Sequence, residues 1–301
     1  MHATSIEKHV EGRRWGVDRA GWPMMGTKRL AQQGIKHGLL AWGQRQAVGA
    51  IAFLIYHSVS GRYPLELDLP PQLVERQLAY LAATGCVIDY ATALQRLRAG
   101  EVGTAPSYVL TFDDGYRDFY TTVYPLLQRW QLPATLFVNT GFVDEGIGYP
   151  MLSHPQLAVE PVSWAMLGEM AESGLVTLGA HTHTHPVLTN CAPDQVVEEL
   201  AQPLALFRRE LGFVPDHFCY PQARWNPQVE ALVQRYYATA VIGEGRWATA
   251  TTFAPYRIPR LPIRRSDGWR FFQAKVQGRM ANEEAFYARI KGLWSRQASA
   301  M

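Results

Sequence analysis

The sequence of 301 residues contains little cysteine. Its three cysteines, Cys86, Cys191 and Cys219, are odd in number and show no Cys-x-x-Cys spacing. A disulfide scaffold or a zinc site built from cysteines is therefore not expected. Cys219 is predicted to be a small buried side chain rather than a nucleophile.

Long hydrophobic runs are also missing. The longest apolar stretch, residues 48–56, is too short for a membrane-spanning helix, which needs roughly 20 residues, and is typical of a buried strand. The first thirty residues are polar and charged, without the apolar core of a signal peptide. We expect a cytoplasmic protein or one peripheral to the inner membrane. A cell-envelope location stays open if the start codon is misassigned or the export route is unusual.

The net charge of +3 is small but unevenly distributed. Residues 1–48 and 264–301 each carry eight Lys or Arg against three Asp or Glu, whereas residues 49–263 carry thirteen against twenty. The central segment is therefore acidic and gives no basic stripe, so nucleic acid is not an expected partner. The basic flanks are either ordinary solvated segments or, together with three tryptophans in the first flank, a peripheral contact with an anionic membrane surface.

Residues 49–265 alternate predicted strands and helices, as in a parallel sheet or a β/α barrel. Residues 1–48 are predicted to form a basic helical extension and residues 266–301 to form C-terminal helices. The predicted strands are 50–56, 107–112, 134–139, 175–180, 217–220, 239–242 and 258–263. Helices are predicted at 72–83, 116–130, 163–173 and 194–211.

Four polar or loop residues each lie just past the end of a predicted strand: His57, Asp113, His181 and Pro221. Active sites of β/α barrels lie at the carboxyl ends of the strands. We therefore expect these residues to meet at one face of the molecule.

The segment His181-Thr182-His183-Thr184-His185 combines three imidazoles with the acidic pair Asp113-Asp114. A catalytic divalent ion takes three protein ligands from His and carboxylate and keeps a further position open. In an extended strand, His181 and His185 would be roughly 13 Å apart. We therefore predict one helical turn that brings them together, ended by Pro186, with His183 pointing elsewhere. The alternative is a His-rich surface loop without metal.

These residues also reveal a family resemblance. Thr111-Phe112-Asp113-Asp114-Gly115 and His181-Thr182-His183-Thr184-His185-Pro186 resemble the first two motifs of the polysaccharide deacetylases, carbohydrate esterases with a NodB homology domain. Phe218-Cys219-Tyr220-Pro221 resembles the aromatic-Pro loop of that family. Phe53-Leu54-Ile55-Tyr56-His57 is similar to the strand that opens the domain in the branch acting on exopolysaccharide N-acetylglucosamine. The resemblance implies a distorted (β/α) barrel of about seven strands.

The resemblance also implies roles for single residues. Asp114, His181 and His185 would bind a divalent ion, with zinc expected and cobalt, nickel or manganese as alternatives. Asp113 would be the general base that takes a proton from water. The backbone N–H of Gln222, after Tyr220 and Pro221, would stabilise the oxyanion.

Two further residues are assigned from their positions at predicted strands. His57 is the best candidate for the acid that protonates the departing amine, although a structural histidine at a strand end would occupy the same position. An arginine of the late segment Arg257-Ile258-Pro259-Arg260, with Arg260 preferred, is expected to pair with Asp113 and keep it ionised.

The chain departs from the family pattern at one point. The aromatic-Pro loop usually continues Tyr-Gly, but here it continues Gln222-Ala223. An aromatic wall of the sugar site is lost, and Ala adopts positive φ less readily than Gly. The departure therefore bears on the choice of substrate more than on catalysis.

The leading hypothesis is a metal-dependent hydrolase that removes N-acetyl or other N-acyl groups from amino sugars of a cell-envelope polysaccharide or its lipid-linked precursor. A deformylase or non-sugar amidase of the same fold is the nearest alternative. A catalytically inactive carbohydrate-binding relative is the alternative from another class.

Overall fold

The computed structural model of the protein describes residues 34, 36–38, 49–63, 65–101, 103, 105–146, 159–280 and 283. Seven parallel strands form one closed barrel in chain order, with β7 pairing back to β1. They are β1 Ile51–Tyr56, β2 Ser107–Asp114, β3 Ala134–Val138, β4 Val176–Ala180, β5 His217–Cys219, β6 Thr239–Gly243 and β7 Ile258–Pro262. The predicted (β/α) barrel of about seven strands is confirmed.

The helices surround this barrel. They are α1 Pro71–Thr84, α2 Tyr90–Ala99, α3 Tyr124–Trp130, α4 Thr140–Glu145, α5 Trp164–Glu172, α6 Pro193–Leu211, α7 Pro227–Val233 and α8 Gly268–Val276. A π-helical segment, Phe119–Val123, precedes α3 directly. Short 3₁₀ segments lie at Leu188–Asn190, Pro221–Ala223, Ala250–Thr252 and Arg265–Asp267.

The barrel is distorted between β4 and β5. These two strands pair only at Ala180 and Phe218, whereas β3 and β4 pair along five residues. Gly179 in β4 also has no room for a side chain, because a Cβ there would lie 2.5 Å from the Phe137 ring. Glycine therefore allows β3 and β4 to keep their pairing while Phe137 fills the interior.

The interior is apolar at the amino ends of the strands and polar at the carboxyl ends. Phe53, Val109 and Phe137 point inward and pack against α2, which covers the barrel at the amino ends of the strands. Tyr90 of α2 is buried, and its hydroxyl lies 3.1 Å from Thr239 Oγ1. Side chains alternate along a strand, so the same face of β2 that carries Val109 carries Asp113 at the open end.

A buried ionic cluster joins the two flanks of the chain to the barrel. Lys36 and Lys275 both contact Asp267, at 2.5 and 2.8 Å, and both contact Glu283, at 3.4 and 2.8 Å. Burial of four charges costs free energy unless they are mutually paired. The cluster therefore fixes residues from both ends of the chain beside the 3₁₀ segment that follows β7.

The predicted extensions lie mostly outside the described residues. Within the described part, residues 34 and 36–38 are helical, and α8 lies within the predicted C-terminal helices. Helix α8 packs on α1 through Trp269, whose ring centroid lies 5.5 Å from that of Tyr80. Among the described residues, no helix is both long enough and apolar enough to cross a membrane.

Candidate active site

The structure brings the predicted site residues together at the carboxyl end of the barrel. His57 follows β1, Asp113 and Asp114 end β2, and His181 follows β4. Arg260 lies within β7. Parallel strands in a closed barrel present their carboxyl ends at one face. This topology brings residues from four separate segments of the sequence into one cluster.

Asp114, His181 and His185 form the set of candidate metal ligands. Asp114 Oδ1 lies 3.3 Å from His181 Nε2 and 3.7 Å from His185 Nε2, and the two Nε2 atoms are 3.1 Å apart. Tetrahedral zinc with ligands at about 2.1 Å requires ligand atoms about 3.4 Å apart. The separations fit such an ion.

The hydrogen bonding of this set supports the same conclusion. Both carboxylate oxygens of Asp114 are buried and accept no hydrogen bond from the described residues. A buried acceptor without a partner is costly, and a cation would satisfy it. The residues present therefore fit a divalent ion.

His181 is oriented by the backbone of β5. Its Nδ1 lies 2.8 Å from the carbonyl oxygen of Cys219. A carbonyl only accepts hydrogen bonds, so Nδ1 carries the proton and Nε2 keeps its lone pair. That lone pair faces Asp114 and His185, as metal binding requires.

The loop from His181 to His185 is not the predicted helical turn. Thr182 and His185 have positive φ values of 64° and 59°, which are left-handed conformations. Thr182 Oγ1 closes the loop by accepting a hydrogen bond from His185 N at 3.0 Å. The prediction of proximity was right but its mechanism was wrong, because tertiary hydrogen bonds rather than α-helical geometry bend this segment. His183 points away, with Nδ1 3.1 Å from Thr140 Oγ1.

Glu199 of α6 is a site residue that the sequence did not indicate. Its Oε2 accepts hydrogen bonds from the backbone N–H of His183 and of Thr184, both at 2.8 Å. Its Oε1 accepts one from the Thr184 hydroxyl. On the other side of the loop, Gly141 N donates to His183 O at 2.7 Å. Left-handed conformations of non-glycine residues persist only where the surroundings fix them, and Glu199 supplies three of the fixing contacts.

Asp113 is held by Arg260, as predicted. The guanidinium donates from Nη1 to Oδ1 at 2.7 Å and from Nη2 to Oδ2 at 2.8 Å. Burial alone would favour the neutral carboxyl, but the charge and the two hydrogen bonds of Arg260 hold the pKa of Asp113 well below its usual range. Asp113 is therefore an ionised acceptor.

His57 stands at the rim of the cluster. Its Nε2 lies 3.9 Å from Asp113 Oδ2, its side chain is 13% exposed, and its Nδ1 has no hydrogen-bond partner among the described residues. Burial lowers the pKa of His57 below 6.5, and the charges of Asp114 and Asp113 oppose this shift only in part. The imidazole is therefore neutral near pH 7 and must gain a proton before it can donate one.

Cys219 is buried, as predicted, but it lies inside the cluster. Its Sγ is 3.5 Å from Asp113 Oδ2 and 2.9 Å from Arg260 Nη2. Asp113, His181 and Cys219 also have metal-ligand spacing. The Arg260 cation already pairs with Asp113 and contacts the sulfur, so it opposes a second positive ion there. The set built on Asp114 is the better metal site.

The aromatic-Pro loop has a left-handed backbone at two positions, although alanine replaces the usual glycine. Gln222 and Ala223 both have φ of 53°. Ala223 thus adopts the left-handed conformation for which glycine is usual, and its N–H donates to Tyr220 O at 3.3 Å. Tyr220 and Pro221 are buried, and Tyr220 packs edge-on against Phe218 at 5.3 Å. Tyr220 is therefore a support of the loop.

Comparisons with known proteins agree with this site. Residues 101–241 match the family described as polysaccharide deacetylase. Poly-beta-1,6-N-acetyl-D-glucosamine N-deacetylase of Escherichia coli is 33% identical over 112 residues, which are 36% of this chain and 17% of that protein. Chitooligosaccharide deacetylase of Bradyrhizobium is 31% identical over 148 residues, which are 48% of this chain and 59% of that protein.

Solved structures show the same fold. The deacetylase PplD of Streptococcus pyogenes superposes with a TM-score of 0.65 at 22% identity, covering 76% of this chain and 99% of that one. IcaB of Ammonifex degensii gives 0.62 at 24% identity, covering 77% of this chain and 98% of that one.

The sequence matches are partial. The chain aligns with 62% of the Bacillus subtilis protein YxkH, at 25% identity over 189 residues that are also 62% of this chain, and with 17% of the Escherichia coli deacetylase. The segment matched by the family runs from just before β2 to β6 and contains Asp113, Asp114, His181 and His185. His57 and Arg260 lie on either side of it, and only the closure of the barrel brings them to the same site. The motifs, the barrel and the match of residues 101–241 all agree with the polysaccharide deacetylase family.

Proposed function

We propose that this protein is a hydrolase that removes N-acetyl or other N-acyl groups from amino sugars with the help of a divalent metal ion. One observation carries the proposal. A carboxylate kept ionised by Arg260 lies next to a second carboxylate and two imidazoles with the spacing of metal ligands. One carboxylate for the ion and one for proton transfer is the set that metal-assisted amide hydrolysis needs.

The ion would be held by Asp114, His181 and His185. Zinc suits two imidazoles and one carboxylate, and cobalt, nickel or manganese are alternatives. When bound, such an ion lowers the pKa of water and polarises the acyl carbonyl.

The protein's own groups would complete the reaction. Asp113 accepts the proton of the attacking water, because its pKa keeps it ionised throughout the physiological range. The neutral His57, 3.9 Å from Asp113, is placed to receive a proton and deliver it to the departing amine. Gln222 has a left-handed backbone conformation. Its backbone N–H is the group that would stabilise the oxyanion.

The substrate we propose is an N-acetylated saccharide of the cell envelope or its lipid-linked precursor. Two of the relatives are named as deacetylases of poly-beta-1,6-N-acetyl-D-glucosamine and of chitooligosaccharide. Both are chains of N-acetylglucosamine, which we take as the first substrates to test. Contact of the basic flanks with a membrane, and the cellular location, remain predictions.

The decisive experiment measures acid released from a panel of N-acetyl and N-formyl saccharides and non-sugar amides. It is run with metal-loaded protein, with chelated protein and after metal is restored. We expect release of acetate from N-acetylglucosamine oligomers that chelation abolishes and metal restores. Release only from formyl or non-sugar substrates would favour the alternative amidases. Saturable saccharide binding without release would identify an inactive carbohydrate-binding relative.

Metal content is a separate measurement. We expect one divalent ion per chain by elemental analysis of the purified protein. His181→Ala should lose it, and Asp216→Asn should not, because Asp216 is exposed and directly precedes β5 at the opposite end of the barrel. Full occupancy in His181→Ala would remove the ligand assignment.

A further inference from the structure

Asp68 is a buried carboxylate that the proposed reaction does not use. It lies in the loop between β1 and α1 and is 2% exposed. Its Oδ1 accepts hydrogen bonds from the backbone N–H of Ser60 and Gly61 at 2.9 and 2.8 Å, and its Oδ2 accepts one from Tyr63 N at 2.7 Å. The Ser60 hydroxyl lies 3.1 and 3.0 Å from the two oxygens. A buried carboxylate is tolerated when hydrogen bonds satisfy it, so these bonds determine the path of the loop.

The loop held by Asp68 begins at the residue after His57. Ser58 O accepts a hydrogen bond from Leu69 N at 3.0 Å, which pairs the two ends of the loop. The Ser58 hydroxyl lies 3.0 Å from Asp68 Oδ1 and 2.7 Å from Asp118 Oδ2. The other oxygen of Asp118, Oδ1, is buried without a hydrogen-bond partner among the described residues. The backbone next to His57 is therefore anchored to two different segments of the chain.

The imidazole of His57 receives no comparable support from the described residues. Its Nδ1 has no hydrogen-bond partner among them, and its Nε2 lies 3.9 Å from Asp113 Oδ2, beyond hydrogen-bond distance. The ring of His181, by contrast, is oriented by the carbonyl oxygen of Cys219. The direction in which His57 points therefore depends on its backbone and on the loop that follows it.

Arg265, which follows β7, holds the same loop from the other side. Its Nη1 donates to Tyr63 O at 2.6 Å and to Asp68 O at 2.9 Å, and its backbone N–H donates to Glu66 O at 2.7 Å. Since β7 pairs with β1, these contacts join the loops that follow two neighbouring strands. The loop after His57 is thus fixed from within by Asp68 and from outside by Arg265.

We propose that Asp68 is a positioning residue for His57. By fixing the loop from Ser58 onward, it keeps the imidazole beside Asp113, where the departing amine is protonated. A misplacement of about 1 Å can lower a rate roughly 10²-fold, so an acid without an orienting hydrogen bond needs a rigid backbone. The inference rests on the proposed function, because it assigns Asp68 to the proton-donation step of that reaction.

The test uses metal-loaded protein and two substrates that differ in their need for an acid. They are an N-acetylglucosamine oligomer, whose amine must be protonated, and an activated acetate ester. In Asp68→Asn an amide NH₂ replaces one oxygen and cannot accept hydrogen bonds from the loop. We expect kcat on the oligomer to fall about 10- to 100-fold with KM little changed, and kcat on the ester to fall much less.

A second variant loosens the loop without changing Asp68. Arg265→Gln removes the guanidinium that contacts Tyr63 O and Asp68 O. It should shift the ratio of oligomer to ester rates in the same direction, and it carries the test if Asp68→Asn does not fold. An unchanged ratio in Arg265→Gln and in every folded Asp68 variant would overturn the inference.

Two controls separate positioning from a general loss of stability. Asp216→Asn repeats the chemical change at the exposed site before β5, at the opposite end of the barrel. Leu97→Ala removes a buried side chain of α2 and should lower the free energy of unfolding. Neither control should change the ratio of oligomer to ester rates.

A double variant tests whether Asp68 acts through His57. In His57→Ala protein, the further change Asp68→Asn should cause little additional loss on the oligomer, because effects transmitted through one group are not additive. Equal losses on oligomer and ester in Asp68→Asn, or fully additive losses in the double variant, would overturn the assignment and leave the proposed function intact.

The magnetic resonance signal of the His57 imidazole gives a readout that does not depend on activity. In protein with isotope-labelled histidine, His57→Ala identifies this signal by its loss. We expect the signal to shift or broaden in Asp68→Asn and Arg265→Gln, whereas that of His217, at the opposite end of the barrel, should not change. If the wild type hydrolyses no saccharide, the proposed function fails, and this signal decides whether Asp68 orients His57. An unchanged His57 signal in both variants would overturn the inference.

Discussion

The Arg260 side chain extends from β7 across β1 and forms a salt bridge with Asp113 of β2. Arg260 lies on β7, which pairs with β1, and Asp113 lies on β2, on the far side of β1. The guanidinium makes two parallel hydrogen bonds to the carboxylate and a third, of 3.0 Å, to Thr111 Oγ1. Thr111 in turn donates to Leu54 O of β1 at 2.7 Å. Three strands thus fix the orientation of one candidate base.

The first prediction concerns this pairing. Arg260→Lys keeps the charge but loses the planar two-point contact, so kcat/KM should fall about 10- to 100-fold. Arg260→Met leaves Asp113 buried and unpaired, which should lower the free energy of unfolding by about 3–5 kcal/mol. Steady-state kinetics and urea unfolding measure the two effects. Wild-type activity in Arg260→Lys would mean that charge alone orients Asp113.

The second prediction concerns Asp113 itself. Asp113→Asn preserves shape but cannot accept a proton from water, so the rate should fall about 10²- to 10⁴-fold. Metal content should stay at the wild-type level, because the proposed ligands are Asp114, His181 and His185. Asp216→Asn serves as the control for the chemical change. Near-normal turnover with metal bound would assign the base to another group.

The third prediction separates proton donation from structural support at His57. In His57→Ala, hydrolysis of sugar amides should slow much more than hydrolysis of an activated ester, whose leaving group needs little protonation. Both substrates use the same ion, base and oxyanion donors, so their ratio isolates the acid step. Equal losses on both would indicate a structural histidine.

The fourth prediction concerns Glu199, which holds the loop between the two candidate metal-binding histidines. In Glu199→Gln, one carboxylate oxygen becomes an amide NH₂ that cannot accept hydrogen bonds from the loop. The dissociation constant for the ion should rise about 10- to 100-fold, as for other residues that orient metal ligands. A competing chromogenic chelator measures it. The control is Glu198→Gln, at the adjacent exposed position. Equal affinities for the ion in the two variants would show that Glu199 does not help to orient the metal ligands.

The fifth prediction concerns pH and Asp118. Burial first, then the nearby Asp68 charge, raise its pKa from 3.8 to about 6, against the lowering effects of Ser58, Val59 and Arg62. The folded state therefore binds the proton more tightly than the unfolded state, and stability is lost as pH rises through about 6. Asp118→Asn removes this cost.

Urea unfolding at about pH 4 and about pH 7 measures the effect. Each pKa unit corresponds to about 1.36 kcal/mol, and Asp118 is partly exposed. We therefore expect Asp118→Asn to gain about 1–2 kcal/mol more at the higher pH. An effect that does not vary with pH would show that the unpaired carboxylate carries no such cost.

Local patterns were sufficient for the elements and for most of the site. Strand positions follow from short apolar runs bounded by turn residues, and parallel pairing follows from their alternation with helices. His57, Asp113 and His181 could be placed at one face because each follows a strand. Arg260 was identified by its place in the last strand, although the partner it grips is 147 positions away.

Other features were decided only by the tertiary structure. The turn at Thr182 and His185 is left-handed because Glu199, Thr140 and Gly141 bind its backbone from two distant elements, so no local propensity could reveal it. The unpaired oxygen of Asp118 depends on which loops meet around it. The sequence by itself determined which functional groups are present and which strand each of them follows. The closed barrel decided which of those groups touch, because contacts between residues far apart in the chain depend on packing.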